Sequence, residues 1–296
     1  MNGSIDLACI TEKDIPRIMA FLTPREQYCV NLSECILRGG KNLTVSASQS
    51  QFWMVYNRED SSVLGVFMIS PGLLLHCIRF PPCDENADYR LELEKLICPV
   101  LKNRVVQCIM GETEGTMFFR DIFREEPLQV IDYDLFGFDR KNVRIAAIHE
   151  DIRDLLLCHA DRADAEALFP LQEAYEKEEV LPDESMFSSS QCMAGLRQTL
   201  LTRTVAVYRN GMTPVAKAAI NAEGINWVQI GGVYTVPQWR SRGLARRLVQ
   251  HIAELSAERE KGACLFVKKG NAAARNSYRN AGFTPFGEYR IVYYHP

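Results

Sequence analysis

Along the second half of the chain the spacing of apolar residues changes several times, and each change falls on a turn-forming residue. Residues 161–178 and 190–201 carry helical spacing and predict two helices. Short apolar runs at Thr204–Tyr208 and Pro214–Ile220, separated by RNGMTP, predict a β-hairpin. A third strand is predicted at Trp227–Thr235. It leads through Pro237 into a helix over 241–259, where Leu244, Leu248, Ile252 and Leu255 form one apolar stripe. ACLFVKK predicts the next strand, Asn271–Ala281 a second helix stopped by Gly282, and Pro285–Tyr294 a closing strand pair. Helices, antiparallel strands, helix, strand, helix, strand is the order of an α/β (α+β) fold: a mixed, mostly antiparallel twisted sheet flanked by helices.

The first half repeats this order. Helices are predicted at 12–22 and 24–38, then strands FWMVYN, SVLGVFMI and GLLLHCIRF, a helix over 88–101, the strand RVVQCIM, the segment GETEGTMFFRDIF and the strand PLQVIDY. Two tandem copies of one fold follow, 1–140 and 151–296, with 141–150 either a linker or the final strand of the first. Residue identity between the halves is slight, so the repeat rests on element order.

A length of 296 residues allows each half its own core. With 47% hydrophobic and 24% charged residues, and no continuous apolar run of about 18, a membrane span is not expected. The N-terminus has no basic stretch followed by an apolar one, so a cytoplasmic location is expected. Ten cysteines lie in apolar contexts without CxxC spacing and read as reduced core residues. Five scattered histidines show no zinc-ligand spacing, and no metal is expected. A net charge of -3 with mixed signs gives no reason to expect nucleic acid.

Candidate chemistry concentrates in GGVYTVPQWRSRGLA, residues 231–245. Arg240, Gly243 and Ala245 stand between a predicted strand and a predicted helix. Unpaired N–H groups and the positive end of the helix dipole attract phosphate to such a turn. Gly243 lets the chain approach a ligand closely, while Arg240 and Arg242 add charge. This pattern predicts pyrophosphate, although alone it is loose enough to recur by chance. Gly231 and Gly232 interrupt the preceding strand and mark a bulge that exposes backbone groups.

In IGGVYTVPQWRSRGLA, then LFVKKGN, then Asn271, Tyr278, Gly282 and Phe283 in NAAARNSYRNAGF, the sequence resembles the GCN5-related N-acetyltransferase (GNAT) family, closely from about 200 to 296 and loosely from 151 to 200. The resemblance implies acetyl-CoA as co-substrate. It implies that Val233, Tyr234 and Thr235 hold the pantetheine arm, and that Arg240, Ser241, Arg242, Gly243, Leu244 and Ala245 form the pyrophosphate loop. Asn271 would contact the cofactor arm, and the Tyr278 hydroxyl would protonate or hydrogen-bond the departing thiolate. The ordinary alternative for Tyr278 is an amphipathic core tyrosine.

Attack on a thioester needs a neutral amine, whereas a primary alkylamine is protonated at neutral pH. Candidate bases are Glu173, Glu176, Glu178 and Glu179, with Glu179 chosen, although charges at a helix end more often form a solvated face. The implied reaction is direct acetyl transfer in a ternary complex to a primary amine on a small molecule or peptide, by a monomer or homodimer. A non-catalytic acetyl-CoA sensor and transfer of a longer acyl group are the alternatives. In the first half IRF is followed by PPCDENADYR, whose acidic residues and lack of glycine predict no phosphate site.

Overall fold

The computed structural model describes residues 4–39, 50–81, 86–138, 152 and 154–295, which form two compact units. Unit 1 comprises Met1–Tyr133 and Gly287–Pro296, and unit 2 comprises Asp134–Phe286.

Unit 1 begins with β1 (Ile5–Cys9), α1 (Ile15–Leu22) and α2 (Val30–Gly39). The meander β2 (Gln51–Asn57), β3 (Val63–Ser70) and β4 (Gly72–Ile78) follows, then α3 (Asn86–Leu101), β5 (Val106–Glu112), α4 (Thr113–Phe123) and β6 (Gln129–Phe138). Neighbours from β1 to β4 are antiparallel, and β4 runs parallel to β5. One core, built on Phe67, Leu93, Ile97 and Phe119, packs α3 and α4 on the sheet, while Ile18, Leu22, Leu32 and Ile36 pack α1 and α2 on its other face.

Unit 2 repeats the sequence of elements: β7 (Leu156–His159), α5 (Ala165–Tyr175), α6 (Ser189–Thr202), β8 (Val205–Asn210), β9 (Thr213–Glu223), β10 (Trp227–Thr235), α7 (Leu244–Glu258), β11 (Gly262–Lys268), α8 (Ala272–Asn280) and β12 (Phe283–Tyr293). Strand order here is β6-β11-β10-β9-β8-β7. The β8–β9 hairpin turns at Gly211, whose φ of 59° suits a residue without a Cβ. Alternation along β9 sends Ala216, Ala218 and Ile220 into the core under α7, and Ala219 into the core under α5 and α6.

The mixed fold agrees with the expectation, and several details differ. β1 and β7 were not predicted, because strands of five and four residues show too little alternation to register. The predicted closing strand pair is one strand, β12. Gly287 lies inside this strand, where its missing Cβ accommodates the Tyr28 ring, 2.6 Å from where that atom would lie. The stripe on α7 runs Leu244, Leu248, Val249, Ile252, Ala253 and Ser256, leaving Leu255 half-buried.

The compact units also depart from a linear division at 140/151. Tyr289–Tyr293 of β12 pair antiparallel with Cys108–Glu112 of β5, inside unit 1. The end of β6, with the buried Phe136 and Phe138, belongs to unit 2, where β6 neighbours β11. Each repeat's last strand therefore completes the other repeat's sheet. The 141–150 segment lies outside the described residues.

Candidate active site

The site grows from the way β10 leaves its neighbours. β10 and β11 pair in parallel through Trp227, Val228 and Gln229, ending at Gln229 opposite Cys264, although the strands continue to Thr235 and Lys268. Beyond that point they diverge, and the β10 backbone facing β11 has no ladder partner. On its other side β10 pairs with β9, but the register slips between Gly231 and Tyr234: Ala219 faces Gly231, whereas Lys217 faces Tyr234. One extra residue is inserted in β10, a β-bulge that bends the strand away from β11.

Both glycines are required locally. A Cβ on Gly231 would collide with the Asn221 amide, and Gly232 has a φ of 60°, the left-handed region. Lys217 Nζ donates to the Gly232 carbonyl at 2.9 Å, and the Gly232 N–H donates to the Tyr175 hydroxyl. Lys217 is 3% exposed and sits 4.6 Å from the Tyr175 ring centroid. Burial lowers its pKa to about 8, against the opposing pull of Glu176.

Below the diverging strands lies the turn into α7. Ser241 and Gly243 both adopt left-handed φ, 64° and 81°, which curls the chain tightly before the helix. No side chain caps α7 at Gly243, so its first N–H groups are open to an anion. Arg242 stacks on Trp239 at 4.7 Å. Arg240, read from sequence as a phosphate ligand, is bound within the protein: Nε donates to the Thr235 carbonyl at 3.0 Å and Nη2 to Glu178 at 2.8 Å. Glu178 also accepts from the Tyr234 hydroxyl at 3.0 Å, and these bonds, Arg240 first, hold its carboxyl below the usual range.

Leu244 is buried in the α7 core, so its contribution to the turn is its backbone. The Thr235 hydroxyl is buried without a partner, an orphan donor at the open end of β10. Together with the left-handed Gly243 and the uncapped helix, it fits a ligand that joins an amide-bearing arm to a pyrophosphate.

Asn271 caps α8, accepting from Ala274 N–H at 3.0 Å. One face of that helix carries Tyr278, 8% exposed and close enough to feel Tyr175 and Glu179. Desolvation pushes its pKa well up, so the hydroxyl stays protonated. Glu179 forms an ion pair with Lys268 at 3.2 Å, both partly exposed, within the π-helical turn Glu176–Val180 that extends α5. Lys217 and Tyr175 were missed from sequence as parts of this arrangement, and Glu178 was read there only as a candidate base. The one available signal was a lysine in the apolar strand PVAKAAI.

In unit 1 the corresponding strands also part, after Leu75 opposite Met110, but the gap is filled. The His76 ring packs where Cβ atoms on Gly111 and Gly115 would be, its Nε2 2.9 Å from the Thr116 hydroxyl. Full burial lowers the His76 pKa to about 3, so the ring is neutral. Of the acidic stretch before α3, Cys83, Asp84 and Glu85 lie outside the described residues, and Asp88 stands in the first helical turn. No helix among the described residues is long and apolar enough to cross a membrane, and no group of three metal-ligating side chains occurs among them.

Comparison with known proteins agrees with the mixed fold. Residues 165–283 match the family model described as Acetyltransferase (GNAT) family. Curated proteins yield no match. Among solved structures, a Drosophila protein superimposes with a TM-score of 0.66 at 9% identity, covering 97% of this chain and 98% of that one. A GCN5-related N-acetyltransferase from Sphaerobacter thermophilus gives 0.61 at 14% identity, covering 99% and 96%. A tandem GNAT protein from the clavulanic acid biosynthesis pathway gives 0.54 at 10% identity, covering 99% of each chain. At these identities the structural likeness concerns the fold.

Proposed function

We propose that this chain, whose residues 165–283 match the acetyltransferase (GNAT) family model, transfers an acetyl group from acetyl-CoA to a primary amine at the open edge of β10. The observation that carries this reading is the divergence of β10 from β11 directly above an uncapped helix turn. Backbone N–H groups of Val233–Thr235 would meet the pantetheine amides, and the 240–245 turn would take the pyrophosphate. The thioester supplies an activated carbonyl.

Around that carbonyl, Tyr278 would donate a hydrogen bond to the departing sulfur, a role suited to a hydroxyl held protonated by burial. Glu179 is the proposed proton acceptor for the amine, acting from the same turn that carries Glu176 and Glu178. The N-terminal repeat, with its cleft filled by His76, is proposed not to bind CoA. Under this reading 1–140 is a degenerate copy and 151–296 the transferase copy, in a protein that works in the cytoplasm as a monomer or homodimer.

The test is acetyl-CoA consumption against a panel of amines (amino acids, polyamines, aminoglycosides and peptides), alongside direct titration of the cofactor. Turnover with at least one amine supports the proposal. Micromolar acetyl-CoA binding without turnover on any amine would favour a sensor, and absence of cofactor binding would remove both readings.

A further inference from the structure

Gly232 is the inserted residue of the β10 bulge, and a bulge residue loses its ladder partners. Here both of its backbone groups are recovered by side chains. Its carbonyl accepts from Lys217 Nζ at 2.9 Å, and its N–H donates to the Tyr175 hydroxyl. Those two side chains come from different elements, β9 and the end of α5, and contact each other through the ammonium and the ring face, 4.6 Å apart. A Cβ on Gly232 would lie 3.2 Å from Nζ, so the lysine is pressed directly beneath the bulge.

An ammonium is a costly choice at this place. Lys217 is 3% exposed, no ion pair is formed by it among the described residues, and its neighbours Ala216, Ala218 and Ala219 are small and apolar. A methionine would fill the same volume without that cost. The charged side chain is explained if the shape of β10 itself is the function served.

We infer that Lys217 and Tyr175 are positioning residues for acetyl transfer: together they clamp both backbone groups of Gly232 and fix the bulge that turns Val233–Thr235 toward the cofactor. This rests on the reading of β10 as the cofactor edge. Neither side chain is assigned a role at the reacting atoms. Their effect passes through the Val233 and Thr235 backbone, so loss of the clamp weakens cofactor binding while the fold survives.

The experiment compares the wild-type protein with Lys217→Met, Lys217→Gln and Tyr175→Phe. Acetyl-CoA affinity is measured by calorimetry, thermal stability by calorimetric scanning, and the Val233 and Thr235 amide resonances by NMR. Lys217→Met is expected to keep or raise the melting temperature, because it removes a desolvated charge. It should nevertheless weaken acetyl-CoA binding about tenfold or more and shift both amide signals. Tyr175→Phe should weaken binding in the same direction by a smaller factor. A folded Lys217→Met that binds acetyl-CoA as the wild type does, with unchanged amides, overturns the proposal. Should Lys217→Met not fold, Lys217→Gln decides on the same readouts. A wild-type protein that itself fails to bind acetyl-CoA counts against the functional reading, which is a separate outcome.

Discussion

Burial acts in opposite directions on two polar side chains of the site. It raises the Tyr278 hydroxyl and lowers the Lys217 ammonium, because in each case the neutral form is the cheaper one to bury. For Tyr278 the consequence is a donor that keeps its proton throughout the physiological range. Tyr278→Phe is expected to lower the turnover number by about 10²-fold with little change in acetyl-CoA affinity, measured by steady-state kinetics and calorimetry; an unchanged turnover number would make it a core tyrosine. For Lys217 the consequence is a stability slope. Its folded pKa of about 8 lies below the ordinary lysine value of 10.5, so the unfolded chain binds the extra proton between these values and stability rises with pH across that window. The gain is on the order of 3 kcal/mol. Groups facing the ammonium are Glu176, Tyr175 and Cys192. The last two are raised to about 12 and work in the opposite sense, so the contribution of Lys217 is read as a difference between proteins. Chemical denaturation of wild type and Lys217→Met from pH 7.5 to 10.5 should show the variant's relative advantage shrinking as pH rises.

At the scale of elements, β10 was legible to the residue, Trp227–Thr235, since its apolar run is bounded by Asn226 and Val236–Pro237. Its paired glycines signalled the bulge correctly. What the sequence could not convey was which side chains hold that bulge. Lys217 lies fifteen residues before Gly232, and Tyr175 still further away, so only the fold brings them together. Arg240 shows a second contact hidden from the sequence. Its position beside the turn suggested phosphate, whereas Glu178, brought in by the π-helical turn after α5, binds its guanidinium. The uncapped turn at Gly243 is therefore the feature to test for the proposed anion binding. Gly243→Glu tests that point: a side chain at φ 81° is strained by about 1–2 kcal/mol, and a carboxylate at the α7 N-terminus opposes phosphate. Acetyl-CoA affinity should drop at least tenfold by titration. An unchanged affinity would place the pyrophosphate elsewhere.

Across the whole molecule, element order exposed the repeat, because each copy keeps the same succession of strands and helices. Strand exchange stayed hidden, since an apolar run such as Phe283–Tyr293 fits equally beside either of two parallel-strand edges, and sequence distance does not choose between them. The structure assigns Tyr289–Tyr293 to β5, with Val292 fully buried and Tyr294 nearly so in the core of unit 1. Removal of Gly287–Pro296 would therefore act on the N-terminal unit, although the residues removed are the farthest from it in sequence. It would uncover the β5 edge and leave Ile109 and Phe119 beside an empty strand position, a loss on the order of several kcal/mol from two large buried side chains and a row of ladder bonds. Hydrogen exchange followed by mass spectrometry should show Val106–Glu112 losing protection in the truncated protein while the β8–β9 hairpin keeps it. Equal protection in both segments would mean that β12 is dispensable to unit 1. By the same logic an isolated 151–296 fragment would lack β6, with Phe136 and Phe138 missing from its core, so it is expected to be poorly soluble unless residues 129–138 are supplied.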